Sequence, residues 1–244
     1  MSLYRDQGVV LRTIKLGEAD RIVTLVTAGH GKVRAVAKGV RKTKSRFGSR
    51  LEPMSHVALL LYAGRELDVV TQAEVLDHFR PVREDLGRLA RATAMLEAVD
   101  QVAQERESNV RLYEMLVGAL RALAARDAPL LVPAFFWKLL ALEGLHPMLD
   151  VCVSCGAPDD LVAFDLDSGG ALCRSCRRGV ALSSDALALL RRILGGDLAG
   201  ALNQLPDATT REVDVLATSA IEHHLERRLR SADFASQAEL ARRA

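Results

Sequence analysis

The sequence predicts an α+β protein of several domains. A five-stranded β-barrel of the OB type comes first, and an α-helical domain carrying an inserted four-cysteine module follows. Short β-branched runs fill the first 80 residues, a helical period of apolar residues begins near residue 84, and the four cysteines lie between helical stretches. We expect a barrel domain over 1–80, a helical domain over 81–147 and 180–244, and the cysteine module over 148–179.

The barrel is predicted from short runs that are rich in β-branched residues and bounded by turn residues. The third run alternates, with Val33, Ala35 and Ala37 on one face and Arg34, Val36 and Lys38 on the other. Five short strands with a long basic connection after the third favour a small OB-type barrel. The five predicted strands cover residues 8–14, 21–27, 32–38, 56–62 and 67–71.

The helices are predicted from apolar residues that recur with a period of 3.6. One of them contains the consecutive aromatics Phe135, Phe136 and Trp137. Three neighbouring side chains point in different directions on a helix, so we expect one of them to line a groove. The predicted helices cover about 84–106, 110–124, 132–144, 186–194 and 210–230.

Several function classes find no support in the sequence. The N-terminus has no apolar signal core and no run approaches 18 apolar residues, which predicts a cytoplasmic protein without membrane contact. The Gly29-His30-Gly31-Lys32 segment lacks the spacing of a phosphate-binding loop, so we interpret it as a hairpin turn and expect no nucleotide cofactor. Glu18 and Asp20 are the best acid–base pair, but they are better explained as neutralising Arg12 or Arg21, and we expect no enzyme.

The four cysteines form two CxxC pairs, Cys152–Cys155 and Cys173–Cys176, separated by 17 residues. Each pair can hold a metal ion from one tight turn, and two pairs complete a tetrahedron. Reduced cytoplasmic thiols favour metal binding over disulfides. The spacing predicts one structural Zn²⁺ whose four positions are all filled by sulfur, which leaves no position for a substrate or a water.

Charge is distributed very unevenly along the chain. Residues 1–50 hold 12 Lys or Arg and three acids, whereas the net charge of the whole chain is +2, so the other 194 residues carry −7. Within 32–50 there is no acid at all, which indicates a polyanionic partner. The eight predicted nucleic-acid-binding residues are Lys32, Arg34, Lys38, Arg41, Lys42, Lys44, Arg46 and Arg50.

The segments 16–27, 31–41 and 45–53 closely resemble the N-terminal domain of RecO, the bacterial recombination mediator family. The order of barrel, helical domain and cysteine module resembles that family over the whole chain. Some members lack the four cysteines, so zinc is not implied to be essential for the family's activity.

The resemblance implies a bacterial, nucleoid-associated protein of DNA repair and homologous recombination. Such proteins bind single- and double-stranded DNA and anneal complementary strands. With the partner RecR they help to displace single-strand-binding protein so that the recombinase can load. No nucleotide hydrolysis is expected.

Two alternatives stay open on the sequence alone. A zinc-containing OB-fold factor of transcription or translation would use the same basic barrel to bind RNA. A hydrolase that uses Glu18 and Asp20 is the alternative from the enzyme class.

Overall fold

The computed structural model describes residues 2–42, 45 and 47–230, which form two compact units. The first unit covers the described residues up to Ala125, and its centre is a closed barrel of five strands. The strands are β1 (Leu3–Leu16), β2 (Asp20–Thr27), β3 (Gly31–Ala37), β4 (His56–Tyr62) and β5 (Asp68–Asp77).

Strand order around the barrel is β1-β2-β3-β5-β4, and β1 closes it by pairing with both β2 and β4. The first half of β1 pairs with β4 and the second half with β2, and a register shift lies between Val10 and Arg12. The pairing of β3 with β5 is parallel and short, with Ala35 opposite Asp68 and Val36 opposite Val69. This topology confirms the predicted OB-type barrel.

Alternation along the strands fills the barrel with small and β-branched side chains. In β3 the residues Val33, Ala35 and Ala37 are buried, and the residues between them face outward, as predicted. Two residues of the loop after β3, Phe47 and Leu51, are each 2% exposed and pack into the same core. The basic loop is therefore anchored by apolar residues within it.

Three helices complete the first unit: α1 (Arg80–Arg83), α2 (Leu86–Val102) and α3 (Val110–Ala125). The Asp85 carboxylate caps α2 by accepting from the Arg88 N–H at 2.9 Å. The chain after α2 lies beside β3, where the Lys32 N–H donates to the Gln104 carbonyl and the Arg106 N–H donates to the Lys32 carbonyl, both at 3.0 Å. These bonds satisfy the part of the β3 edge that β5 does not reach.

The second unit begins at Arg126, and its described residues form four α-helices and a three-stranded sheet of order β7-β6-β8. The sheet consists of β6 (Leu161–Asp165), β7 (Gly170–Cys173) and β8 (Val180–Ala181). The helices are α4 (Leu131–Leu142), α5 (Ser184–Leu194), α6 (Leu198–Ala201) and α7 (Ala208–His224).

The prediction that one of the three consecutive aromatic residues of α4 lines a groove is wrong. Phe135, Phe136 and Trp137 are 3%, 1% and 1% exposed, so all three lie in the core. The reason is that α4 is apolar around most of its circumference and packs against α5 and α7, while Trp137 also meets Phe164 of β6 edge to face.

The predicted order of barrel, helices and cysteine module is present along the chain. The first three helices belong to the same compact unit as the barrel. The four-part division at residues 80, 147 and 179 stays a prediction.

Candidate nucleic-acid interface and metal centre

The outer face of β3 presents the first of the predicted basic residues. Lys38 follows the strand and is exposed. The Arg34 side chain is 40% exposed, and its Nη1 lies 3.9 Å from Oε1 of Glu105, whose side chain is 58% exposed. A surface ion pair of this kind contributes little to stability, so Arg34 can readily exchange Glu105 for another anion.

Lys32 lies on the same outer face but is engaged within the protein. Its Nζ donates to the Asp100 carbonyl at 2.7 Å and lies 4.0 Å from the Asp100 carboxylate, with 16% of the side chain exposed. The Arg12 Nε also donates to Asp100, at 2.5 Å. Asp100 of α2 therefore neutralises Lys32, which leaves this cation less available to a phosphate than the exposed ones.

The loop after β3 carries the remaining predicted cations. Arg41, Lys42 and Arg50 are exposed. Lys44 and Arg46 lie outside the described residues. The sequence places all of them between Ala37 and Leu51, the residues by which the loop enters and re-enters the barrel core.

This loop is tied to the turn between β1 and β2. The Gly39 N–H donates to the Asp20 carboxylate at 2.7 Å, the Arg41 N–H to the Ala19 carbonyl at 2.9 Å, and the Arg41 guanidinium to the Gly17 carbonyl at 3.2 Å. Asp20 thus holds the basic loop. Neutralisation of Arg12 or Arg21 by Glu18 and Asp20 was expected, but the partners are Asp100 and Glu52.

The buried carboxylate of Asp68 lies where β3 pairs with β5 and binds three hydrogen-bond donors there. Asp68 is fully buried, and its carboxylate accepts from the Gly64 N–H and the Arg106 guanidinium, each at 2.9 Å, and from the Tyr4 hydroxyl. Burial raises the pKa of Asp68, but these hydrogen bonds outweigh burial and hold that pKa below its ordinary value. Burial, followed by the Asp68 hydrogen bond, raises the pKa of Tyr4.

Aromatic side chains contribute little to the exposed barrel surface. Phe47 lies in the core and Tyr4 is half-buried against Asp68. Tyr62 at the end of β4 is 38% exposed.

The candidate metal centre is built from two turns of the second unit. Cys152 and Cys155 lie on a turn closed by bonds between the Cys152 N–H and the Ala157 carbonyl at 2.7 Å and between the Gly156 N–H and the Cys152 carbonyl at 2.8 Å. Cys173 ends β7, and Cys176 ends the 3₁₀ turn Arg174–Cys176. The sheet therefore brings the second pair to the first.

The four sulfurs lie within 4.8 Å of one another, and the Cys155 and Cys173 sulfurs are 3.7 Å apart. A tetrahedral zinc ion with bonds of about 2.3 Å requires sulfurs about 3.8 Å apart, whereas a disulfide requires about 2.05 Å. The geometry fits a tetrahedral metal ion held by Cys152, Cys155, Cys173 and Cys176.

The thiols also compete for charge. Backbone N–H groups, first that of Cys173, lower the pKa of Cys152 to about 6. The Ala157 N–H lowers the pKa of Cys155, but the neighbouring sulfurs outweigh it and raise that pKa to about 12. Cys152 therefore loses its proton readily, whereas the contacts with neighbouring sulfurs favour the protonated form of Cys155, and a bound metal ion would displace that proton.

An OB-type barrel joined to a helical region with a four-cysteine site defines the class of this protein. A family model described as Recombination protein O N terminal matches residues 1–79, and one described as Recombination protein O C terminal matches residues 83–233. The chain therefore belongs to the RecO family of DNA repair proteins.

Relatives described as DNA repair protein RecO agree with this assignment. The alignment with that of Frankia casuarinae runs over 245 positions at 45% identity, and it covers 98% of this chain and 100% of the relative. Those of Streptomyces griseus and Streptomyces coelicolor are 44% and 45% identical over 243 residues, 95% of this chain and 98% of each relative. Within the described ranges, no helix combines the length and apolar character needed to span a membrane.

Proposed function

We propose that this protein is a recombination mediator that binds single- and double-stranded DNA through the basic surface of its barrel and anneals complementary strands. With RecR it helps to displace single-strand-binding protein so that a recombinase can load. The protein does this in the bacterial cytoplasm at the nucleoid, without nucleotide hydrolysis or other catalysis.

The observation that carries the proposal is the cluster of exposed cations on one anchored loop. Lys38, Arg41 and Lys42 are exposed, and the loop is held at both ends by the barrel core and by Asp20. The described residues of this loop present their charge without the entropy cost of ordering a free chain. Arg34, Lys44, Arg46 and Arg50 complete the proposed DNA-binding set.

Phosphate contacts by these cations release condensed counterions and give affinity with little sequence preference. They neutralise the backbones of two strands and leave the Watson–Crick edges free. That combination favours annealing, because repulsion between the strands falls while pairing stays available.

The metal held by the four cysteines is proposed to be one structural Zn²⁺. Four thiolates occupy all four coordination positions of a tetrahedral ion, so the ion links two turns and offers no position for a substrate. Its contribution is to the stability of the second unit.

The proposed function is tested by annealing complementary oligonucleotides coated with single-strand-binding protein, with and without RecR. We expect the protein to speed annealing of the bare strands, and RecR to increase the annealing of the coated ones. Annealing at the spontaneous rate in both cases would contradict the proposal. A competition between single-stranded DNA and RNA of the same sequence, won by RNA, would favour the RNA-binding alternative instead.

A further inference from the structure

The four cysteines of the candidate metal centre differ in their access to solvent. Cys152 and Cys173 are 1% and 6% exposed, whereas Cys176 is partly exposed and Cys155 is exposed. Both chain neighbours of Cys155 are exposed as well, so this cysteine lies at the tip of its turn. A reagent in solution therefore reaches Cys155 more readily than it reaches the other three.

The buried sulfur of Cys173 lies 3.7 Å from the sulfur of Cys155. A disulfide requires about 2.05 Å, so the two sulfurs must approach each other by less than about 2 Å to form a bond. Burial shields Cys173 from a reagent in solution and leaves its sulfur available to react with Cys155. The two residues also belong to different turns, since Cys155 lies on the first turn and Cys173 ends β7.

The susceptibility of a cysteine to oxidation depends on its thiolate character and on its exposure. Sulfurs that hold a metal ion are deprotonated, so all four cysteines share the thiolate character when the site is filled. Exposure then decides which of them reacts first, and it selects Cys155.

We propose that Cys155 is an oxidation site, at which a hydroperoxide converts the metal cluster into a disulfide between Cys155 and Cys173. The Cys155 thiolate attacks the hydroperoxide, an S–O bond forms, the O–O bond breaks, and the departing alkoxide or hydroxide takes up a proton. The Cys173 thiolate then attacks the Cys155 sulfur, an S–S bond forms, and the hydroxide that leaves takes up a second proton. The two sulfurs lose two electrons, which the hydroperoxide gains.

The oxidation removes two of the four ligands, and Cys152 and Cys176 alone cannot complete a tetrahedral site, so the metal ion is released. The new bond joins the same two turns that the metal ion joins, and it closes the loop over residues 155–173. The second unit thus exchanges one link for another, and a thiol reductant reverses the exchange. The inference uses the proposed Zn²⁺ and is independent of the proposed DNA binding.

The test treats the zinc-loaded protein with increasing hydrogen peroxide. A chromogenic chelator measures the released Zn²⁺, and mass spectrometry of unreduced proteolytic peptides maps the disulfides. Cys155→His is the main variant, because a His nitrogen can replace a thiolate as a zinc ligand but cannot form a disulfide. We expect the wild type to release Zn²⁺ and to form the Cys155–Cys173 bond, and Cys155→His to release Zn²⁺ at least about tenfold more slowly.

Cys176→His is the matched control, because it makes the same replacement at a cysteine outside the proposed bond. It should release Zn²⁺ at the wild-type rate and form the same disulfide. A second readout is the melting temperature, which should be about 5 °C or more higher for the oxidised wild type than for reduced protein stripped of metal, because the disulfide still links the two turns.

Release of Zn²⁺ from Cys155→His at the wild-type rate would overturn the inference. A disulfide between any other pair, retention of Zn²⁺ by the wild type in excess peroxide, or irreversible oxidation of Cys155 to a sulfinic acid would overturn it as well. If a His variant does not fold or binds no Zn²⁺, the disulfide map of the wild type decides alone. A wild-type protein that binds no Zn²⁺ would overturn the proposed metal, while the disulfide map would still decide the inference.

Discussion

Asp68 illustrates how one buried carboxylate can define a barrel. Its three hydrogen-bond donors come from β1, from the turn before β5 and from the chain after α2, so it joins elements that are distant in sequence. It lies where β3 and β5 begin their short parallel pairing. The parallel contact between β3 and β5 therefore depends on a polar residue as well as on the apolar core.

Replacing Asp68 by Asn should lower the free energy of unfolding by about 2–3 kcal/mol, because one oxygen that accepts hydrogen bonds becomes a donor and Arg106 loses its partner. The Arg106 side chain is 51% exposed, so its charge stays hydrated and the loss is smaller than for a fully buried pair. Urea unfolding measures the difference. Tyr4→Phe, which removes one donor only, should cost about 1 kcal/mol.

The same residue gives a pH dependence of known sign. The pKa of Asp68 in the folded protein lies below its ordinary value of 3.8. The contribution of Asp68 to the free energy of unfolding is therefore complete above pH 3.8 and is lost as pH falls through the lower pKa of the folded state. Unfolding free energies measured from pH 7 to pH 3 should fall less steeply at the acid end for Asp68→Asn than for wild type. Parallel curves for the two proteins would contradict this account of Asp68.

The cysteine cluster sets a second prediction for single residues. Cys173→Ser, or removal of the metal by a chelator, should lower the melting temperature by about 5 °C or more while DNA affinity changes less than twofold. The reason is that Cys173 ends β7 and joins two turns of the second unit, whereas the proposed DNA contacts belong to the barrel. Differential scanning calorimetry measures the melting temperature, and a DNA titration measures the affinity.

The exposed neighbour Ser175 provides the control, and Ser175→Ala should keep both properties of the wild type. A metal-free protein that melts at the wild-type temperature would show that the cluster does not stabilise this unit.

Among the elements, β3 is held at its start by a close backbone approach. Gly31 has a φ of +64°, and a Cβ added there would lie 1.9 Å from the Glu107 carbonyl oxygen. Gly31→Ala should therefore push the chain after α2 away from the strand and cost more than about 3 kcal/mol of unfolding free energy.

Gly48→Ala is the control for the backbone conformation alone. Gly48 has a φ of +52°, but no heavy atom of the described residues lies within 4 Å of the added Cβ, so the cost there should be about 1 kcal/mol. Chemical denaturation of both variants separates conformational strain from the clash. Equal losses would show that the approach of Glu107 is not important for stability.

The elements that the sequence predicts best are those with a long, regular period. The alternation of β3 and the apolar stripe of α3 follow from burial of one face, and they are visible without knowledge of the partners. β6 to β8 were missed because strands of two to five residues have too few alternations to register. The burial of Phe135, Phe136 and Trp137 was missed because it depends on neighbours that surround α4 on several sides.

The same distinction applies to the sites. The two ligands of each CxxC pair are only three positions apart in the chain, so the cluster of four sulfurs can be predicted from the sequence alone. Lys32 shows the opposite case, since the acid that neutralises it, Asp100, is 68 residues away. A count of charges along the chain cannot register a partner supplied by a later helix.

For the whole molecule, these pairings reduce the charge excess of residues 1–50. Asp100, Glu52 and Glu105 face Arg12, Arg21, Lys32 and Arg34, which removes much of the excess on the β2 and β3 side of the barrel. The exposed cations Lys38, Arg41 and Lys42 lie together at the end of β3 and in the loop after it, whereas Arg5 and Lys15 are exposed on β1. The proposed DNA surface is therefore smaller than the sequence suggests and is centred on the loop after β3.

The most direct test of this account is a salt titration of single-stranded DNA affinity for the wild type and for Lys38→Glu/Arg41→Glu/Lys44→Glu. A matched variant changes Arg111, Arg211 and Arg228 to Glu, which alters the net charge equally at other exposed positions. If about six cations contact phosphates, the slope of log affinity against log salt is about −4 for the wild type and about −2 for the loop variant. We predict this fall in slope and at least a tenfold loss of affinity at about 0.1 M salt for the loop variant, with the matched variant close to wild type. Equal affinities and slopes for the loop variant and the wild type would contradict the assignment of DNA binding to this loop.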